Sequence, residues 1–252
     1  MAGVTVGRAG HGKGSPVSGI KLVFFDMEGT VFRRSVPPSE TSVAPSVWVK
    51  IAECLGPDAL KEERATQTRW NNKGYSGYIE WMEDTVRIHK KYGLTRDVFT
   101  SVLDSVDFMG GAREVFTSLR DAGVCTALVT GGFKYQADRA ARAFCIKHVF
   151  AGCEYFWDDR GSLVYWNLLP ADYKGKVHFT RSLSSDYGYG EEQLAFIGDG
   201  ENDIFLAREV GTSIAFNGPE KLCQSCTYSV IQKSGSEDLR IILQYLGIGD
   251  DH

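Results

Sequence analysis

Apolar residues in this chain gather into short blocks separated by longer amphipathic stretches. Residues 20–25 read I-K-L-V-F-F and stop at Asp26, the pattern of a buried strand whose C-terminal end carries a carboxylate. A second block, V-C-T-A-L-V over 124–129, ends at Thr130-Gly131-Gly132. A third, over 194–197, ends at Gly198-Asp199-Gly200, and a fourth spans 213–216. Helical periodicity fills the gaps. Residues 112–122 put Val115, Phe116 and Leu119 on one face, 135–144 are rich in Ala and Arg, and 202–210 stop at Gly211, a good helix terminator. This alternation predicts an α/β fold, a Rossmann-like parallel sheet flanked by helices. Sites in such sheets form beyond the C-terminal ends of the strands. Three of the four blocks end there in polar or glycine-rich residues, at Asp26, Thr130 and Asp199.

The alternation breaks between Phe32 and Phe108. No apolar strand stands out there, and helical patterns run over 47–55, 59–70 and 78–92. The chain therefore divides into a flexible tail over 1–19, a catalytic core over 20–32 and 109–252, and an inserted, mostly helical cap over 33–108 that would cover the site. A second interruption, 154–166, has aromatic runs flanking Asp158-Asp159-Arg160-Gly161, which predicts a β-hairpin with a glycine turn.

Charge narrows the choice of ligand. With 28 basic and 32 acidic residues the formal net charge is -4, so no basic excess points to nucleic acid or an anionic membrane. A phosphorylated substrate would need a local positive pocket or a metal. No run of eighteen apolar residues predicts a membrane span, and the start lacks the apolar core of a secretory signal, so a cytoplasmic location with reduced thiols is expected for the six cysteines. Cys223 and Cys226 form a lone C-x-x-C without a second ligand pair, which reads as structural. Gly7, Gly12 and Lys13 make only a broken phosphate-loop pattern, since Gly14 stands where Ser or Thr is needed.

Three motifs carry chemistry. In Asp26-Met27-Glu28-Gly29-Thr30, residues two apart in extended backbone point the same way, so Asp26 and Glu28 would aim at one spot. Carboxylates that close need a cation or a shared proton, and magnesium suits oxygen ligands and phosphates. In Leu128-Val129-Thr130-Gly131-Gly132-Phe133, a hydroxyl, two glycines and a following helix N-terminus can hold a phosphate. In Gly198-Asp199-Gly200-Glu201-Asn202-Asp203, Asp199 ends a strand and Asp203 enters the next helix, where an acid also suits the helix dipole.

Together these motifs resemble the haloacid dehalogenase superfamily of phosphatases, and the spacing from Gly111 to Phe133 is similar to its phosphoserine phosphatase branch. The resemblance covers 20–32 and 110 to about 246, and it fades in the insertion. It implies an aspartyl-phosphate mechanism with Asp26 as nucleophile and Glu28 as general acid and base. Thr130 and Lys174 would hold the phosphoryl oxygens, with Met27, Gly131, Gly132 and Asn202 also at the phosphate. Asp26, Asp199 and the main-chain carbonyl of Glu28 would bind Mg2+, with Asp203 in or beside the metal shell. Lys176, two residues on, is the alternative to Lys174, which is favoured because Lys-Gly then opens the helix as in the relatives.

Glu28 departs from the family's usual Asp. The extra methylene moves the carboxyl by roughly 1.5 Å, and misplacement of about 1 Å can cost about a hundredfold. The expected activity is that of a phosphomonoesterase on a small phosphorylated metabolite, phosphoserine among the candidates. A phosphotransferase with an alcohol acceptor, and a non-catalytic phosphate-binding protein, are the alternatives. A homodimer stays open as a partner. Trp48, Trp70, Tyr75, Tyr78 and Trp81, with Arg64, Arg69, Lys73 and Arg87, would pack the cap or line its pocket.

Overall fold

A computed structural model describes residues 5–8, 19–34 and 47–248. Its strands are β1 (Thr5–Arg8), β2 (Leu22–Phe25), β3 (Cys125–Phe133), β4 (His148–Trp157), β5 (Leu163–Leu168), β6 (Leu194–Gly198), β7 (Thr212–Phe216) and β8 (Tyr228–Ile231). They form one sheet in the order β1-β8-β7-β6-β2-β3-β4-β5. Pairing is parallel from β8 through β7, β6, β2 and β3 to β4, and antiparallel for β4–β5 and β1–β8.

The continuous apolar runs follow from burial on both faces. In β2, Val23 and Phe25 enter one hydrophobic cluster while Leu22 and Phe24 enter the other. β6 repeats this, with Ala195 and Ile197 on one side and Leu194 and Phe196 on the other. Helices α5 (Ala112–Asp121) and α6 (Lys134–Phe144) cover the first face. Helices α7 (Lys174–Tyr187), α8 (Ile204–Ala207) and α9 (Glu220–Ser225) contribute Leu183, Leu206 and Leu222 to the second.

Between β2 and β3 lie α1 (Val47–Leu55), α2 (Pro57–Asn71), α3 (Tyr78–Lys91) and α4 (Arg96–Asp104). α1, α3 and α4 share the first cluster through Trp48, Ile51, Trp81, Phe99 and Val102, and Trp70 of α2 packs against it. None of the described helices is long and apolar enough to cross a membrane, and all six cysteines are free.

Several elements differ from the sequence reading. Within the expected tail, Thr5–Arg8 pairs with β8, because that strand would otherwise leave an open row of backbone donors and acceptors. The rest of the tail up to residue 18 lies outside the described residues. Helix α4 was not expected; the Thr95 side chain accepts from Val98 N at 3.4 Å at its start, and Phe99, Val102 and Leu103 are buried. The helix expected over 202–210 is a short 3-10 turn, Glu201–Asp203, followed by the four residues of α8. β3 does not end at Val129 but runs to Phe133, with an irregular register against β4 between Thr130 and Phe133. The hairpin is where it was expected: Asp158 Oδ1 accepts from Arg160 N and Ser162 N, and Gly161 takes a φ of 76°.

Candidate active site

Chain order makes β2 the switch point. The chain leaves it for β3 on one side and returns to β6 on the other, which opens a crevice at the C-terminal ends of these strands. Asp26 is the first residue past β2 and stays pinned to its neighbour, its N–H donating to Ile197 O at 2.9 Å. Asp199 follows β6, and Thr130 sits at the irregularity of β3. All three are buried.

Asp26 does not face Lys174. Lys176 Nζ donates to Asp26 Oδ1 at 2.5 Å and to Asp203 Oδ1 at 2.6 Å, and lies 3.7 Å from Asp172 Oδ1. Lys174 is exposed, its ammonium 5.5 Å from the centroid of the Phe205 ring. Lys174, favoured from the sequence, is thus not the lysine beside Asp26; the alternative, Lys176, is. Both lysines lie in the first turn of α7, and two positions are about 200° apart round a helix, so only one can face the sheet.

Burial alone would lower the Lys176 pKa, but the carboxylates of Asp203, Asp26 and Asp172 overcome it and hold the ammonium well above its usual range. Burial pushes Asp26 up, Lys176 pulls against it, and Asp203 and Asp199 add to the rise. Asp172 is also raised by burial, against the pull of Lys176 and the Asn202 hydrogen bond.

Asp26, Asp199 and Asp203 can each offer one oxygen within 4.8 Å of the others. Such a set of buried carboxylate oxygens suits magnesium. Positive side chains already sit on these acids. Beside Lys176, the Arg34 guanidinium bonds both Asp199 O, at 3.0 Å, and Asp199 Oδ2. Burial raises Asp199 to about 6, with Arg34 the main opposing influence. Asp203 has little left to offer, since its Oδ2 accepts from Asp199 N at 3.0 Å and Gly200 N at 3.1 Å. It shapes the loop that presents Asp199. Gly29 has a φ of 86°, and a Cβ there would overlap the Asp199 carboxylate, so the turn after Asp26 closes on Asp199 only with glycine.

The remaining expected residues divide. Glu28 is half-buried, and its Oε1 accepts from the N–H of Val47, the first residue of α1, at 3.0 Å. Its carboxylate thus ties the strand-end turn to the insertion. The Met27 carbonyl accepts from Val31 N and Phe32 N, and its side chain lies beside Gly132. Thr130 Oγ1 accepts from Gly132 N at 3.0 Å. Asn202 reaches Asp172, its Nδ2 donating to Oδ1 at 2.7 Å.

Three residues here escaped the sequence reading as site residues. Asp172 was signalled only by standing four positions before Lys176, and Arg34 only by a basic pair after the first motif. Tyr78 counted among the insertion's aromatics, yet its hydroxyl donates to Gly131 O at 2.7 Å. Of the basic residues singled out in the insertion, Arg64, Arg69, Lys73 and Arg87 are all exposed, and Arg69 and Arg87 pair with Asp84 and Glu83.

Comparison with known proteins places the chain in a family. A family profile for haloacid dehalogenase-like hydrolases matches residues 20–211. The chain is 26% identical over 203 residues to a phosphoserine phosphatase of Archaeoglobus fulgidus, a match covering 80% of this chain and 54% of that protein. It is 27% identical over 229 residues to one from Methanocaldococcus jannaschii, covering 90% and 97%. The chain thus spans little more than half the length of the first relative and nearly all of the second. A solved phosphoserine phosphatase holding an analogue of a phospho-aspartyl intermediate superposes with a TM-score of 0.71 at 21% identity, over 91% of this chain and 100% of that one. That likeness concerns the fold.

Proposed function

This chain belongs to the haloacid dehalogenase-like hydrolase family, and from that premise we propose that it is a phosphatase, a magnesium-dependent phosphomonoesterase working through a phospho-aspartate on Asp26. The observation that carries this is the pairing of a buried carboxylate at a central strand end with a buried ammonium, Asp26 Oδ1 to Lys176 Nζ at 2.5 Å. Phosphoryl transfer asks for in-line positioning and charge neutralisation, and a buried ammonium beside the nucleophile supports the second.

In the first step an Asp26 oxygen attacks phosphorus, an O–P bond forms, and the bond to the leaving alcohol oxygen breaks. Glu28 gives that oxygen its proton. Its anchor to Val47 N couples the acid to the insertion. In the second step Glu28 takes a proton from water as the water oxygen bonds phosphorus. The Asp26–phosphorus bond breaks, and inorganic phosphate and free Asp26 result. The Thr130 hydroxyl, already accepting from Gly132 N, directs its own hydrogen to a phosphoryl oxygen, and Lys176 holds a second. Met27, Gly131 and Gly132 border the phosphate, and Asn202 steadies Asp172. A magnesium ion held by Asp26, Asp199 and the Glu28 carbonyl, with Asp203 beside it, would neutralise charge on the phosphoryl oxygens. The substrate is a small phosphorylated metabolite, and the relatives make phosphoserine the reference ester.

Phosphate release from a panel of phosphomonoesters, with and without magnesium, tests the reading on wild type and Asp26→Asn. Release should need magnesium and fall below detection in the variant. Turnover that survives Asp26→Asn would sink the phospho-aspartate.

A further inference from the structure

Gly131 marks where the insertion meets the phosphate side of the core. Besides accepting from Tyr78, it has no room for a side chain: a Cβ would overlap the Tyr78 hydroxyl and stand 2.6 Å from Asp172 Oδ2. The Tyr78 ring lies 6.0 Å from that of Tyr173 and edge-on to Trp70 at 6.4 Å, and Trp70 is 5.2 Å from Tyr173. Trp81 backs the group, stacked on Trp70 at 4.7 Å. Tyr173 directly follows Asp172 and takes φ 48°, ψ -129° at the start of α7, backbone that favours glycine. The ring is held toward Trp70 and Tyr78 in spite of that preference. Tyr78 from the insertion and Tyr173 from the core, both half-buried, thus stand beside Gly131 and Asp172, with half-buried Trp70 packed against them.

The charges near this wall are as informative as the rings. Every Lys and Arg of residues 47–104 is exposed except Lys50, which donates to Ser105 Oγ. His89 is buried, and burial lowers it to about 3, so it is uncharged at neutral pH. Residues 35–46 contain no Lys, Arg or His. Arg34 is held at Asp199 through the main-chain carbonyl as well as the carboxylate. Among the described residues, no Lys or Arg lies over the Trp70, Tyr78 or Tyr173 ring: Arg69 lies over Tyr75 and Lys174 nearest Phe205.

We infer that this wall selects the leaving group, and that the released alcohol presents an apolar or aromatic face and carries no carboxylate. The inference rests on the phosphatase reading. A carboxylate against these rings would lose hydration without a partner, whereas a flat apolar group gains ring contacts at Trp70, Tyr78 and Tyr173. The amino-acid ester named by the relatives is therefore the poorer substrate here.

The test compares benzyl phosphate with phosphoserine, both esters of primary alcohols, on the full chain with saturating magnesium. Benzyl phosphate should lead in kcat/KM by about tenfold or more, the size of one good ring contact. Tyr173→Ala should raise KM for benzyl phosphate about tenfold and collapse the preference, while Tyr173→Phe retains it. Thermal melts identify variants that fail to fold, and Trp70→Phe against Trp70→Leu repeats the comparison from the other side of the wall. Phosphoserine equal or superior to benzyl phosphate, or a preference unmoved in folded Tyr173→Ala, overturns this inference alone. No phosphate from any ester overturns the phosphatase reading and this inference with it.

Discussion

Two regions of this molecule bury ionisable groups, and they handle them in opposite ways. At the C-terminal end of the sheet, Asp26, Asp172 and Asp203 surround a fully buried Lys176, and Asp199 is met by Arg34. In the insertion, burial holds Glu63 up to about 7, against a Thr85 hydrogen bond, and lowers His89 to about 3. His89 Nδ1 lies 2.8 Å from Tyr155 Oη, and no lysine or arginine influences either group. The strand-end site answers burial with opposite charge, whereas the insertion answers it with loss of charge. A region that keeps its charges can receive a phosphoryl group, and one that neutralises them offers apolar surface instead.

The largest test of this contrast is removal of the central cation. Lys176→Met leaves three carboxylates facing one another and takes a partner from the phosphoryl oxygens, so kcat should fall by about a thousandfold or more, about 4 kcal/mol. Lys174→Met should stay within about twofold, as expected of an exposed side chain. Steady-state phosphate release decides between them, and a larger loss at Lys174 would reverse the assignment.

A smaller effect is expected in the insertion. The folded pKa of Glu63, about 7, lies above its ordinary 4.5, so between those values the folded chain holds more protons than the unfolded one. Stability from this group is full below about 4.5 and is lost as pH rises toward 7, by about 2–3 kcal/mol. Urea midpoints of Glu63→Gln should therefore fall less than those of wild type between pH 5 and pH 8. Parallel falls would remove Glu63 from the account.

The smallest effect belongs to Arg34. Its guanidinium and a divalent cation compete for Asp199, so Arg34→Gln should tighten magnesium binding by about tenfold in calorimetry, about 1.4 kcal/mol. Unchanged or weaker binding would show that the guanidinium does not compete.

The sequence by itself determined the sheet and the acids at its C-terminal end. Strands buried on both faces must be apolar throughout, so β2 and β6 stand out as runs, and the polar residues that end them, Asp26 and Asp199, are visible without coordinates. The insertion's helices were legible from their periodicity, with α1 matching residue for residue. Tertiary structure alone decided which lysine meets Asp26, because that depends on the phase with which α7 packs on the sheet. It also decided the parts played by Arg34, Asp172 and Tyr78, whose partners lie up to 165 residues away, and the pairing of Thr5–Arg8 with β8. Periodicity reports which face of an element is buried, while the partner on that face is set by long-range packing that no local pattern encodes.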